Sequence, residues 1–234
     1  DGNGTDMLRH TIRPKLSYTY IPEAVQTDLP AFDAIDNIAA TSAFTYSLNN
    51  TLTGRHEQEG RQIYTDRLYL DISQTYDYNE ATRKLTAPTE KRRPFSDVTL
   101  ELRLQPTERT GITGKGLYNV YERWFTSYDT SLSVADERGD SLTVTHRFVR
   151  DLTRYIEGSV RLKLSQAVVA TYLQRYSLDK GLSLETAYGL EYNQQCWGAV
   201  LSYSQKPEEK LIYVTFSLTG IGRIAGLQQR LENM

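Results

Sequence analysis

Ile156-Glu-Gly-Ser-Val-Arg-Leu-Lys-Leu-Ser165 alternates without a break. Ile156, Gly158, Val160, Leu162 and Leu164 take one parity, and Glu157, Ser159, Arg161, Lys163 and Ser165 take the other. An extended chain sends successive side chains to opposite faces, so residues 156–165 predict a strand with one apolar and one charged face. Two later runs repeat the pattern. Leu182, Leu184, Thr186, Tyr188, Leu190 and Tyr192 oppose Ser183, Glu185, Ala187, Gly189, Glu191 and Asn193, and Ile212, Val214, Phe216 and Leu218 oppose Tyr213, Thr215, Ser217 and Thr219. A sheet that is greasy on one side and polar on the other is the unit to be explained.

Working outward, the chain divides into about twelve alternating runs separated by turn chemistry, the pattern of an antiparallel sheet or barrel. The runs are residues 10–20, 43–54, 61–76, 95–105, 112–121, 125–135, 141–148, 156–165, 168–176, 182–192, 197–203 and 211–219. Residues 168–176 alternate poorly, and Glu137-Arg-Gly-Asp140 reads as a tight turn. Residues 21–40 and 77–94 are long connections, the second rich in Lys and Arg. In an up-and-down sheet every second connection lies at the same end. The two long ones therefore share an end, and the short turns 55–60, 106–111, 137–140, 166–167 and 193–195 share the other. The expected organisation is a flexible, processed or truncated segment at 1–7, strands over 8–219 and a tail at 220–234.

Composition narrows the class. The chain has 234 residues, 24% of them charged, and a mean hydropathy of -0.53. No run approaches the roughly 18 apolar residues of a transmembrane helix. Membrane strands need only about ten alternating residues each and stay open as a reading. Seventeen tyrosines against two methionines favour strands over helices. A net charge of -2 argues against a nucleic-acid partner, which calls for a basic surface.

Two readings of the alternation remain. A soluble sandwich or lipocalin-like binding protein encloses its apolar face and wets its polar one. An outer-membrane barrel turns its apolar face to lipid, carries aromatic girdles and has short periplasmic turns opposite longer outer loops. Tyr18, Tyr20, Tyr76, Tyr78, Trp124 and Trp197 fall near strand ends, and the loop asymmetry points the same way, favouring the antiparallel transmembrane β-barrel. An enzyme would need a nucleophile or a base. The histidines are His10, His56 and His146, of which His146 with Asp151 is the least poor pair, and no G-x-S-x-G or metal-ligand spacing accompanies them. The expectation is no catalytic residue, no metal and no cofactor.

Pro14-Lys-Leu-Ser-Tyr-Thr-Tyr-Ile-Pro22, followed by Gln26, Leu29-Pro30 and Phe32-Asp33, resembles the LPS-assembly outer-membrane protein family, LptD, also called organic solvent tolerance protein. Leu48 to Arg55 is similar to the family's next segment. Leu190-Glu-Tyr-Asn-Gln-Gln-Cys-Trp197 and Leu218-Thr-Gly-Ile-Gly222 resemble its closing strands. Specific motifs lie at the two ends, and the middle matches in rhythm.

The resemblance implies the carboxy-terminal strands of a larger barrel that inserts lipopolysaccharide into the outer leaflet of the bacterial outer membrane. Its implied partners are lipopolysaccharide, a plug lipoprotein of the LptE type, periplasmic bridge proteins and outer-membrane lipid. It further implies a lateral seam bordered by the last strand, with Leu211, Tyr213, Thr215, Ser217 and Thr219 as candidate residues. Glu157, Arg161, Lys163, Glu185 and Glu191 are candidate lumen-lining residues. Arg83, Lys84, Lys91, Arg92 and Arg93 are candidate contacts for lipid phosphates outside the cell, or simply a solubilising run. Cys196 is a candidate for an interdomain disulfide to a periplasmic domain. The family pattern often has two adjacent cysteines where this chain has Gln195 before Cys196, so a lone buried thiol is the other reading. The rival function is a passive porin, which requires the first and last strands to pair with each other.

Overall fold

Hydrogen-bonded pairing follows the alternation nearly everywhere. The computed structural model describes residues 7–24, 38–58 and 61–218. Twelve antiparallel strands stand in simple sequence order: β1 (Met7–Ile21), β2 (Thr41–Gln58), β3 (Arg61–Asp77), β4 (Val98–Thr107), β5 (Thr110–Asn119), β6 (Trp124–Ala135), β7 (Ser141–Val149), β8 (Thr153–Lys163), β9 (Val168–Ser177), β10 (Leu182–Asn193), β11 (Trp197–Gln205) and β12 (Lys210–Leu218). The order is linear, with β1 at one end and β12 at the other. Among the described residues the one helix is the short α1 (Tyr78–Thr82), capped by the Asp77 carboxylate accepting from the Glu80 N–H. Contacts divide the chain into two units, Asp1–Thr130 with Phe148–Leu152, and Ser131–Arg147 with Thr153–Met234.

In the first unit the register sorts residues cleanly. Arg13 pairs with Asn49 and Asn49 with Asp71, giving a polar face, while Pro14 pairs with Leu48, Leu48 with Ile72 and Ile72 with Leu100, giving an apolar one. Aromatic rings gather where the apolar face nears the long connections. Tyr18 packs on Phe44 at 4.7 Å between ring centroids, and Tyr76 on Phe95 at 5.1 Å. Between Leu52 and Thr53 the register shifts and Arg67 becomes the extra residue of a bulge.

That end of the unit is stitched together. Asn79 Nδ2 donates to the Ala40 carbonyl at 3.1 Å, the Phe95 N–H to Tyr121 Oη at 2.8 Å, and Asn119 Nδ2 and Thr126 Oγ1 to the Asp97 carboxylate at 2.8 and 2.6 Å. The expected shared end of the two long connections is therefore observed. At the opposite end β4 and β5 are joined by residues 108–109 alone.

The second unit follows the same rule. Its turns 136–140, 164–167, 178–181, 194–196 and 206–209 are all short, so the loop asymmetry rests on the two long connections of the first unit alone. At 136–140 the Asp136 carboxylate accepts from the backbone N–H groups of Arg138 and Asp140, at 2.9 and 2.8 Å, and Gly139 takes φ +91°, a conformation open to glycine.

Several boundaries differ from the sequence reading, and at two of them side-chain bonds explain the difference. The strand expected over 95–105 starts at Val98, because Asp97 is drawn into side-chain bonds and Phe95 makes only an isolated bridge to Tyr76. The strand expected to reach Ser165 stops at Lys163, because Ser165 Oγ accepts from the N–H groups of Ala167 and Val168 to form the turn. The expected tail at 220–234, and the motif residues Gln26, Leu29, Pro30, Phe32 and Asp33, lie outside the described residues. So does the segment expected at 1–7 apart from Met7, which opens β1.

The burial pattern is that of a sheet with none of the described residues over its greasy side. Among the described residues the only buried hydrophobic side chains are Ala43 and Leu173, and no large side chain is fully buried. Leu16, Ile212 and Phe216 are each at least 70% exposed.

Candidate functional site

Pairing across β8, β9 and β10 puts the candidate lumen residues on one face. Glu157 stands opposite Arg175 and Arg175 opposite Glu185, Arg161 opposite Thr171 and Thr171 opposite Gly189, and Lys163 opposite Val169 and Val169 opposite Glu191. Arg175, which the sequence reading missed, lies at the centre of the cluster. Its guanidinium reaches Glu157 Oε2 at 2.6 Å and Glu185 Oε2 at 3.1 Å, while Glu185 Oε1 accepts from Ser204 Oγ at 3.0 Å. Arg161 Nη2 lies 3.6 Å from Glu191 Oε2. The charges of this face are largely matched in pairs.

The face extends to β12. Ser204 stands opposite Leu211, Ser202 opposite Tyr213, Val200 opposite Thr215 and Gly198 opposite Ser217, so these four candidate seam residues share the polar face. Thr219 lies outside the described residues. On the other face Ile212, Val214, Phe216 and Leu218 are all exposed. β12 has β11 as its one hydrogen-bonded neighbour in the sheet order.

The apolar face of this unit is banded. Tyr172, Tyr188 and Tyr203 lie side by side at 5.1 and 6.3 Å between neighbouring centroids, opposite Val160 and Ile212 at the row's ends. One step along comes an aliphatic row of Leu162, Ala170, Leu190, Leu201 and Val214. Beyond it Tyr192 packs on Trp197 at 5.3 Å. On the far side of the tyrosines Gln174, Thr186 and Gln205 form a polar row, and Tyr172 and Tyr203 donate to the two glutamines at 3.0 Å. Tyrosines with apolar rings and a hydroxyl turned to polar partners are typical of a membrane interface.

The remaining candidates are placed as follows. Cys196 lies in the turn 194–196 as an exposed free thiol. In the basic connection Arg83 is consumed internally. Its guanidinium binds Glu80 and, at 2.6 Å, Glu90, and its carbonyl accepts from Arg92 Nε at 3.1 Å. Arg93 pairs with Glu122 at 3.7 Å, and Glu122 also binds Arg150. Much of this charge run is thus the loop's own scaffold.

Thr86 donates its N–H and hydroxyl to Glu90, which with Arg83 holds that carboxyl down to about 2 from an ordinary 4.5. Glu80 is lowered as well, first by Arg83 and then by the Arg93 N–H, and Arg83 is raised by the two acids. A carboxylate with a depressed value adds stability above its unfolded value and loses it as pH falls through the folded one. The hydrogen-exchange protection factor of the Thr86 amide is therefore expected to hold above pH 4.5 and to fall between there and about 2. A protection factor unchanged down to the lower limit would contradict this arrangement.

Residues 3–177 match the family model described as LptD, LPS transport system D. This chain belongs to the LptD family. Among similar proteins, the LPS-assembly protein LptD of Hahella chejuensis is 24% identical over 94% of the chain and 30% of its own length. That of Nitrosomonas eutropha is 26% identical over 83% and 28%, and that of Thiobacillus denitrificans 21% over 95% and 33%. The chain thus spans about a third of the length of the LptD relatives it matches.

Proposed function

We propose that this chain is part of an outer-membrane β-barrel that delivers lipopolysaccharide to the outer leaflet through a seam bordered by β12. One observation carries the reading: an antiparallel sheet whose apolar face has no described residue over it and whose polar face is charge-matched. A barrel satisfies its backbone only by closing, so a weakly paired junction is where an amphipathic lipid can leave sideways into the bilayer. The apolar face would meet lipid hydrocarbon, and the polar face would line the wet interior that glycan and phosphate require. The relatives' role in LPS assembly supports the substrate. A plug lipoprotein of the LptE type and periplasmic bridge proteins are the proposed partners, and transport without catalysis the proposed activity. A self-closing porin is less favoured, since residues 3–177 match the LptD family model.

The test is photo-crosslinking in cells at Leu211, Tyr213, Thr215 and Ser217, probing for lipopolysaccharide. Adducts at these positions are the expected result. No adducts, with small solutes still crossing the membrane, would favour the porin. Cys196 is proposed to be disulfide-bonded to a periplasmic part of the same protein. A mobility shift on non-reducing gels that disappears in Cys196→Ser is expected, and identical mobility of the two would reject the bond.

A further inference from the structure

The apolar belt on the outward face of β10–β12 is bounded closely at both ends. On that face β11 and β12 pair Trp197 with Leu218, Ala199 with Phe216, Leu201 with Val214 and Tyr203 with Ile212. One step further the pair is Gln205 with Lys210, and the turn that joins them reads Lys206-Pro-Glu-Glu209. At the other end β11 leaves the polar turn Gln194-Gln-Cys196. β10 keeps the same limits, with Tyr188, Leu190 and Tyr192 lying between Thr186 and that turn. Backbone bonds fix both ends: the Lys206 N–H donates to the Glu209 carbonyl and the Gln194 N–H to the Trp197 carbonyl, each at 2.8 Å. The Tyr203 hydroxyl donates outward along the strand to Gln205 Oε1 at 3.0 Å.

From Trp197 to Tyr203 the strand rises about 20 Å, at about 3.4 Å per residue. Tilted by about 40°, that run crosses about 15 Å of membrane, against about 25 Å for the apolar band of outer-membrane barrels. A greater tilt only shortens the crossing. A belt too short for its bilayer is met by thinning of the lipid or by long flanking side chains that reach out to water. Lys206 and Lys210 have that reach, but Glu208 and Glu209 are shorter, and Gln194 and Gln195 at the other end are short amides. Sinking these carboxylates and turn amides into hydrocarbon costs more than compressing lipid. We infer that the outward face of β10–β12 holds the bilayer beside it thinner than the surrounding membrane, with Gln205 and Lys210 at one headgroup level and the turn 194–196 at the other. The inference rests on the membrane reading in the proposed function and deepens it. An amphipathic lipid leaving beside β12 enters a compressed bilayer, where its headgroup has less hydrocarbon to clear.

The experiment introduces a nitroxide-bearing amino acid, one position at a time, at Gln195, Leu201, Gln205 and Val214 of the intact protein. Each labelled protein is reconstituted in vesicles of dilauroyl-phosphatidylcholine, which are thin, and of dioleoyl-phosphatidylcholine, which are thick. Collisions of the nitroxide with a water-soluble nickel chelate and with oxygen then report whether each position lies in water or in hydrocarbon. The ratio of chelate to oxygen collisions at Gln195 and at Gln205 is expected to exceed that at Leu201 at least about five-fold in both kinds of vesicle, because the lipid adapts to the belt. Should the protein labelled at Gln205 not fold, Lys210, its partner on β12, takes its place. A ratio at either end of the belt that falls to the Leu201 value in the dioleoyl vesicles would mean that the protein sinks into an undeformed bilayer. That result would overturn the inference and leave the proposed function standing. Chelate reaching Leu201 and Val214 as freely as Gln205 in both vesicles would instead overturn the membrane reading and the proposed function with it.

Discussion

Leu162→Arg is expected to cost about 2–4 kcal/mol of folding stability in a bilayer, the penalty for a cation on the lipid face near the midplane. Leu162 begins the aliphatic row that runs through Ala170, Leu190, Leu201 and Val214. None of the described residues covers the row: Leu162 is 42% exposed, Leu201 48% and Val214 57%. An arginine there has no partner within reach on its own face, because the acids of β8 and β10 take the other parity. It must snorkel along the strand past the tyrosines or drag water into hydrocarbon. Ser159→Arg, three residues away on the charged face, should stay within about 0.5 kcal/mol, as surface substitutions usually do. Urea titration of the protein refolded into lipid vesicles measures both. Equal stability of the two variants would mean that Leu162 does not face lipid, and the assignment of faces would fall with it.

Much of this was legible before any coordinates, because a period of two is simple physics. Once one strand of a sheet is fixed, pairing fixes the faces of all its neighbours. The alternation of 156–165, 182–192 and 211–219 survives as three strands with the expected parity over most of their length. It fails where the register slips. In β10 a bulge between Ser183 and Glu185 makes Leu184 the extra residue, so Leu182 pairs with Ser177 on the polar side and Ser183 with Tyr176 on the apolar side. A strict parity count cannot see an inserted residue.

Residues 168–176 were opaque for a different reason. Val169 and Leu173 sit on the polar face, Leu173 buried with only 9% exposure, while Gln174 sits on the apolar face. Gln174 is satisfied there by Ser183 and Thr186, and by a tyrosine hydroxyl. Tertiary partners, invisible in the sequence, decide that strand. Its obscurity also hid Arg175. The signal that would have exposed Arg175 is the charge count: three acids, Glu157, Glu185 and Glu191, stand against two cations, Arg161 and Lys163, and Arg175 is the cation of the run between their strands.

Removing that cation has the second large effect. In Arg175→Met, Glu157 and Glu185 would face each other across β9 with no positive charge between them. Glu185 is only 8% exposed, so water can relieve it little. Breaking a buried ion pair by deleting one partner costs about 3–5 kcal/mol, and the guanidinium's partial exposure brings the expectation to about 2–4 kcal/mol. Arg175→Lys should lose less, about 1–2 kcal/mol, because a single ammonium keeps the charge but cannot bridge two carboxylates with a planar fork. The double variant Arg175→Met/Glu185→Leu should be more stable than Arg175→Met alone, since it removes the stranded acid along with its partner. Urea midpoints in vesicles decide among these. A double variant as unstable as the sum of its singles would mean that Arg175 acts through packing on Tyr155, whose ring centroid lies 5.4 Å away, and not through charge.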